Sequence, residues 1–358
     1  MKKIFVTKTF IPPIKEYKKI LKDIFASGQI TNNGQKLQLL ENHLKNFLDV
    51  KYIHCLANGT LALQLALRAL DIKEGEIITT PFSYVATTSA ILWEKFNPVF
   101  VDIEKDNFTI DADKIEQAIT KKTKAILAVH VFGYACNIEK ITKIAKKYNL
   151  KVIYDAAHAF GSKYKGKSLL NYGDISTCSF HATKLFHAVE GGCCITNNKQ
   201  FNNKIDLLKR FGHNSDEHIQ LGINAKLSEL HSAMGLANFP HVNKIILKRK
   251  KVSLLYDKFL KQSFIRPKKQ KNLEYNYSYY PILVENENKL LKIIKNLNKE
   301  NIFPRRYFYP SLNTLPYITK KYSCPNTEDI SKRILCLPLY VGLTKKEIKL
   351  ISEIINAA

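Results

Sequence analysis

Between about residue 50 and residue 200, short β-type apolar runs alternate with helical patterns, and this alternation constrains the chain more than any other feature. Ile77-Ile-Thr-Thr80, Pro98-Val-Phe-Val-Asp102, Ala125-Ile-Leu-Ala-Val-His130 and Lys151-Val-Ile-Tyr-Asp155 read as strands. Leu61, Ala62, Leu65, Ala66, Ala69 and Leu70 fall on one stripe of a helix, as do Ile138, Ile141, Ala145 and Tyr148. Such an order is the signature of an α/β domain whose helices cover a sheet.

Past Phe239-Pro240 the pattern changes to a Lys-rich helix, a β-type stretch from Tyr275 to Val284, and an amphipathic helix carrying Ile348, Ile351 and Ile355. The expected division is a large domain over 1–240, with an N-terminal arm, and a small C-terminal domain over 241–358. A length of 358 residues suits one large unit and one smaller one.

Hydrophobic residues make up 45% and charged residues 24%, ordinary for a globular protein. No run approaches the roughly 20 apolar residues that cross a bilayer, and polar Thr7 and Lys8 interrupt the basic start before a signal-peptide core forms. A cytoplasmic protein without a membrane span is expected. The seven cysteines include no CxxC pair, so neither a disulfide framework nor a metal site is indicated. A formal charge of +25 favours an anionic partner, but the lysines are scattered and no aromatic-basic pattern accompanies them. Nucleic-acid binding is therefore not expected.

Gly161-Ser-Lys-Tyr-Lys-Gly-Lys-Ser168 satisfies the phosphate-loop pattern GxxxxGK[ST] letter for letter. Its context does not. A phosphate loop opens a helix, whereas Leu169-Leu-Asn-Tyr-Gly173 reaches a glycine turn within a few residues, and the spacing suits a β-hairpin.

Four other segments carry chemistry. Lys184 lies between Ile175-Ser-Thr-Cys-Ser-Phe180 and Glu190-Gly-Gly192, on a turn between two β-type segments; by itself it reads as one more surface lysine. Asp155 ends a strand at the edge where open α/β sheets bind ligands, or serves as a turn residue there. Asn58-Gly59-Thr60 precedes a helix, as a phosphate cradle or a plain cap. Tyr84 is a ring cover or a core aromatic. Together they supply what pyridoxal phosphate requires: an amine for a Schiff base, an acid at the pyridine nitrogen, an aromatic cover and a phosphate cradle.

In this order and spacing, the segments resemble the DegT-type nucleotide-sugar aminotransferases nearly end to end. The matching blocks are Thr31-Asn-Asn-Gly34, Asn58-Gly-Thr-Leu-Ala-Leu63, Thr80 to Thr87, Tyr154-Asp-Ala-Ala-His-Ala-Phe-Gly161, Ser179-Phe-His-Ala-Thr-Lys184, Glu190-Gly-Gly192, Gly222-Ile-Asn-Ala-Lys226 and Arg305-Arg-Tyr-Phe-Tyr-Pro310. The resemblance implies a fold-type I enzyme with a mostly parallel mixed sheet and a smaller C-terminal α+β domain. It implies that Lys184 carries pyridoxal phosphate, with pyridoxamine phosphate as the intermediate form, and that Asp155 pairs with the pyridine nitrogen. It further implies that His158 contacts the ring hydroxyl, that Gly59, Thr60 and Ser179 hold the phosphate, and that Asn224 reaches the phosphate of a neighbouring subunit in a homodimer. Residue 226 is Lys where many relatives have Arg, which removes a planar fork from that position.

The resemblance also implies a reaction in which L-glutamate leaves its amine on the cofactor and a keto sugar collects it. Ser179-Phe-His-Ala-Thr-Lys-Leu-Phe-His187 and the Arg-Arg-Tyr-Phe-Tyr-Pro run resemble the subgroup that aminates dTDP-4-keto-6-deoxyglucose at C4 for surface-polysaccharide synthesis. Its candidate substrate contacts are His181 and, toward sugar or pyrophosphate, Arg305, Arg306 and Tyr307, with a structural salt bridge or interdomain packing as the alternative for each of these three. A 3-aminotransferase, a UDP- or GDP-linked specificity and a non-enzymatic regulator of the same fold are the alternatives.

Overall fold

The computed structural model describes residues 3–358. A seven-stranded sheet is built from β1 (Tyr52–Leu56), β2 (Glu76–Thr79), β3 (Asn97–Phe100), β4 (Thr123–Val129), β5 (Lys151–Asp155), β6 (Ile175–Ser179) and β7 (Gly192–Thr196), in the spatial order β1-β7-β6-β5-β4-β2-β3. The β3-β2-β4-β5-β6 neighbours are all parallel. Only β7 runs the other way, antiparallel to both β6 and β1. The sheet is thus mixed and mostly parallel.

Both faces are covered, which is why the strands read as continuous apolar runs rather than alternating ones. Ile126 and Ala128 of β4 pack into one core with Leu40 and Leu44 of helix Gln35–Leu48 and Ile141 of helix Ile138–Lys147. Ala125 and Leu127, pointing the opposite way, join Leu65 of helix Gly59–Ala69, Ile91 of helix Ala86–Trp93 and Ile205 of helix Lys199–Leu208. Each such leucine or isoleucine contributes about 1.5–3 kcal/mol through burial. The crossover helices start at side-chain caps: Asn137 accepts from the Lys140 amide and Asn198 from the amides of Gln200 and Phe201.

Gly161–Ser168 forms the expected hairpin, with Lys163–Tyr164 antiparallel to Lys167–Ser168, and only the three-residue 3-10 turn Leu169–Asn171 follows, its Leu169 and Leu170 amides already taken by the Ser162 carbonyl and Ser168 Oγ. The β-type stretch at 275–284 is strand only over Tyr280–Leu283; Tyr277 adopts a left-handed φ of 57°, which breaks the extended run before it.

Tyr280–Leu283 pairs antiparallel with Ile334–Leu337, and this pair packs with helices Val242–Phe259, Glu287–Lys299 and Lys345–Asn356 around Ile282, Leu290, Leu335 and Ile351. Ile4–Phe5, near the start of the chain, is parallel to Ile302–Phe303 and sends Ile4 into the same core. A separate aromatic cluster joins Phe82, Phe108 and Phe132 from the sheet's loops to Tyr279, Phe308 and Cys336. That bridge carries residues from the last third of the chain to the carboxyl edge of the sheet.

Candidate active site

A cavity of about 320 Å³ opens at the carboxyl ends of β4, β5 and β6, where Val129, Asp155 and Thr177 to Ser179 reach its wall. This is the edge at which open α/β sheets bind ligands. The loop leaving β6 closes on itself: Phe180 donates its amide to the Gly191 carbonyl (2.8 Å) and Ala188 to the Phe180 carbonyl (2.9 Å). Phe180 and Phe186 are buried beneath it, Phe186 stacked on Phe160 at 4.7 Å. Lys184 therefore projects into the cavity from a packed turn, held by its own amide to the His181 carbonyl (2.9 Å). Burial pulls its amine below the ordinary lysine value, while the Asp155 carboxylate pulls the other way.

Asp155 is 5% exposed. Its Oδ2 accepts from Thr87 Oγ1 at 2.8 Å and its Oδ1 from the Ala157 amide at 3.1 Å, leaving each oxygen a lone pair. Burial raises its carboxyl, and the two hydrogen bonds and Lys184 oppose that shift.

His158 is fixed from several sides. Its Nδ1 accepts the Phe132 amide at 3.2 Å, and its carbonyl accepts from Asn276 Nδ2 (2.8 Å) and Ser278 Oγ (2.7 Å). Its ring lies parallel to Phe132 and Phe308 within 4° and 5°, and 4.7 Å from Tyr279. Burial pushes the imidazole well below its usual value, so it is neutral. With Nδ1 accepting, the proton sits on Nε2, which has no protein acceptor among the described residues.

Against Ser179 at the end of β6, helix Gly59–Ala69 begins. Asn58 Oδ1 accepts the Leu61 amide, and the amides of Gly59 and Thr60 are left for a ligand. A Cβ at Gly59 would stand 2.9 Å from Ser179 Cβ, so glycine is what lets the cradle and β6 approach.

The structure therefore brings Gly59, Thr60, Tyr84, Asp155, His158, Ser179, His181, Lys184 and Tyr307 to one cavity. Tyr84 stands at the mouth, 60% exposed. Three expected residues lie elsewhere. Arg306 is spent on Glu287 and the Lys332 carbonyl, and its guanidinium lies 3.5 Å from the Tyr309 ring centre, so it is a strut rather than part of the cavity wall. Arg305 pairs its backbone with Cys336 and leaves its side chain outside. Asn224 is exposed, its Oδ1 accepting from Lys226 Nζ at 2.7 Å, and it does not line this cavity.

Sequence reasoning missed Ser83, Thr87, Phe132, Tyr279 and Phe308. Ser83 and Thr87 had a readable signal, a spacing of four that puts both on one side of a helical turn. Tyr279 and Phe308 had none, because they arrive across the aromatic bridge from a distant part of the chain.

An amine, a buried carboxylate with open lone pairs, an unpartnered imidazole donor and two free amides at a helix start fit pyridoxal phosphate group by group. The chain is similar to a dTDP-4-amino-4,6-dideoxy-D-glucose transaminase of Shigella dysenteriae, 42% identical over 353 residues, 96% of this chain and 95% of that one. It is also similar to a GDP-perosamine synthase of Escherichia coli O157:H7, 35% identical over 347 residues, 96% of this chain and 94% of the relative. Among solved structures, DesI in the presence of its TDP-sugar product superposes with a TM-score of 0.94 at 26% identity, over 100% of this chain and 93% of that chain. The model of the DegT/DnrJ/EryC1/StrS aminotransferase family matches residues 14–356, so that fold, cavity and sequence agree, and the chain belongs to this family of pyridoxal-phosphate-dependent sugar aminotransferases.

Proposed function

We propose that this protein transfers an amino group from L-glutamate to C4 of a dTDP-4-keto-6-deoxyhexose, giving dTDP-4-amino-4,6-dideoxyglucose, with pyridoxal phosphate held at Lys184. The observation that carries the reading is the convergence of Lys184, Asp155 and His158 on one cavity beside the Gly59 and Thr60 amides. The sugar and its nucleotide are taken from the Shigella relative, similar over nearly the whole of both chains. When bound, the cofactor supplies an electron-withdrawing ring that stabilises charge at the carbon bearing the amino group and carries that group between the two half-reactions.

The protein's own residues supply the rest. Gly59, Thr60 and Ser179 bind the phosphate at the helix start, where amides and dipole favour an anion. Asp155 holds a proton on the pyridine nitrogen, and His158 donates from Nε2 to the ring hydroxyl oxygen. Nζ of Lys184, a better base because burial disfavours its charged form, would move a proton from the glutamate α-carbon to the cofactor's C4′ carbon in the first half-reaction and from that carbon to C4 of the sugar in the second, ending each half-reaction with its own proton count unchanged. Tyr84 at the mouth, with Tyr279 and Phe308 deeper, limits water. His181 and Tyr307, both lining the cavity, are the sugar contacts of this reading, with Arg305 outside it as a further candidate.

The reading includes a cytoplasmic homodimer in which Asn224 reaches the neighbouring subunit's phosphate, and a division into units at 1–240 and 241–358. Supporting the dimer, Phe211, Leu221 and Ile223 beside Asn224 are 47%, 83% and 42% exposed, an apolar surface that a second copy would cover. No helix among the described residues is long and apolar enough to cross a membrane.

The test incubates purified protein with pyridoxal phosphate, L-glutamate and dTDP-4-keto-6-deoxyglucose and reads product regiochemistry by NMR, with Lys184→Ala as control. Expected are an amine at C4 and no turnover in the variant. Given the similarity to a GDP-perosamine synthase, the GDP-linked keto sugar is run in parallel. A preference for it would replace the nucleotide assignment, and absence of cofactor binding would overturn the reading.

A further inference from the structure

Beside Asp155 stand two hydroxyl groups, that of Thr87 against the carboxylate and that of Ser83 next to it at the cavity wall. Thr87 Oγ1 lies 2.8 Å from Asp155 Oδ2, and Ser83 Oγ lies 2.8 Å from Thr87 Oγ1. All three residues are buried, Thr87 completely. The turn that carries them is held by the Thr87 amide on the Tyr84 carbonyl (3.2 Å), at the start of helix Ala86–Trp93.

Hydrogen-bond directions in this chain are coupled to the charge on Asp155. An ionised carboxylate only accepts, so Thr87 must spend its single hydroxyl proton on Asp155. Ser83 must then donate to Thr87, and its own lone pairs are left at the cavity wall. Were Asp155 protonated on Oδ2, it would donate to Thr87 and the chain would run backwards.

Burial without compensation would neutralise this carboxylate. The other titratable groups facing it are few. Lys184 approaches from the loop after β6, the Cys178 thiol on β6, pushed up to about 12 by burial, stays neutral, and so does the Cys136 thiol, which burial also pushes up. Besides the Ala157 amide, Thr87 is the only donor to the Asp155 side chain among the described residues.

We propose that Ser83 and Thr87 form a directional hydrogen-bond relay that keeps Asp155 ionised, so that the cofactor's pyridine nitrogen stays protonated. Thr87 and Ser83 are positioning residues that act through Asp155. The inference rests on the cofactor reading above.

Two measurements test it. The first compares the dissociation constants of pyridoxal phosphate and of its 1-deaza analogue, which has a ring CH where the pyridine nitrogen would be, for wild type, Thr87→Val, Thr87→Ser and Ser83→Ala. Losing a hydrogen bond to a charged group predicts about tenfold weaker pyridoxal phosphate binding by Thr87→Val. The relay further predicts a smaller loss in Ser83→Ala, recovery in Thr87→Ser, and deaza-analogue affinity unchanged by Thr87→Val. Equal losses for both compounds, or no loss, overturn the relay. Failure of wild type to bind pyridoxal phosphate overturns the cofactor reading instead. The second measurement is independent of the cofactor: the Asp155 carboxyl is titrated by 13C NMR in the full-length protein without pyridoxal phosphate, with Asp155→Asn assigning the signal. Thr87→Val should titrate at higher pH than wild type and Thr87→Ser alongside it. An unshifted Thr87→Val titration overturns the relay whatever the cofactor does.

Discussion

The Phe132 amide donates to Nδ1 of His158 across 3.2 Å, and this one bond decides which nitrogen of the neutral ring faces the cavity with a proton. A donor at the ring oxygen favours its anionic form. His158→Leu should therefore raise the pH at which the bound cofactor's visible absorption changes by about one unit, equivalent to about 1.4 kcal/mol. His158→Gln keeps an N–H donor and should titrate close to wild type. Absorbance titrations of the three cofactor-loaded proteins check this, and equal shifts in both variants would assign the ring a packing role alone.

Gly59 sits at the first turn of helix Gly59–Ala69 with Ser179 directly against it. Alanine is favoured over glycine in a helix by about 1 kcal/mol. Here the added methyl would stand 2.9 Å from Ser179 Cβ and push the cradle off β6. Gly59→Ala is expected to bind pyridoxal phosphate roughly tenfold or more weakly, at about 1.4 kcal/mol per factor of ten, while melting of the cofactor-free protein changes little. Fluorescence titration with the cofactor and a thermal melt separate the two effects.

Arg306 carries a contrary expectation. Its guanidinium holds Glu287 and the Lys332 carbonyl, tying helix Glu287–Lys299 to the segment before Tyr307. Removing one partner of a half-buried pair leaves the other uncompensated. Arg306→Ala should lower unfolding free energy by about 1–3 kcal/mol and, at temperatures where it stays folded, leave KM for the keto sugar near wild type. A large KM increase with unchanged stability would return Arg306 to the substrate site.

Much of the architecture was readable because strands buried on both faces leave continuous apolar runs and their crossover helices keep a clean 3.6-residue period. Lys184 and Asp155 were legible for a related reason: each follows such a run, and strand ends are where this kind of sheet exposes polar groups. For Arg306 the sequence left substrate contact and salt bridge open and could not name the partner, since nothing near it marks Glu287, 19 residues earlier. Tyr279 and Phe308 were not legible at all. They reach His158 through an aromatic cluster assembled from distant segments, and packing of that kind leaves no local pattern. Strand β1 was missed because His54 and Cys55 interrupt its β-branched character, although both are buried in the sheet.

Three histidines are kept neutral by burial: His54 down to about 4, His130 down to about 3, and His158 well below its usual value. In the unfolded chain each takes up its proton near pH 6.5. Above that pH neither state binds the proton and the groups contribute nothing to the pH dependence. Below it the unfolded chain binds protons that the native protein refuses, so stability falls as pH drops from about 6.5, by up to about 1.4 kcal/mol per unit for each histidine. For His130 the fall continues towards pH 3, where the native ring titrates. Asp155 and Glu41, whose carboxyls burial raises, act with the opposite sign, because the native protein takes up their protons before the unfolded chain does; comparing a histidine variant with wild type cancels that contribution. His130→Phe isolates one contribution: the ring would still stack on Tyr154, now 4.5 Å away, and Nε2 already lacks a partner. The Cys136 amide loses its acceptor, a cost of about 1–3 kcal/mol at every pH. The slope of unfolding free energy against pH, from urea titrations between pH 6.5 and 5, should nevertheless become shallower in the variant, by about 1 kcal/mol per unit on average and approaching about 1.4 near pH 5. An identical slope would mean that His130 accepts its proton in the folded state, and that its buried ring finds a compensating partner on acidification.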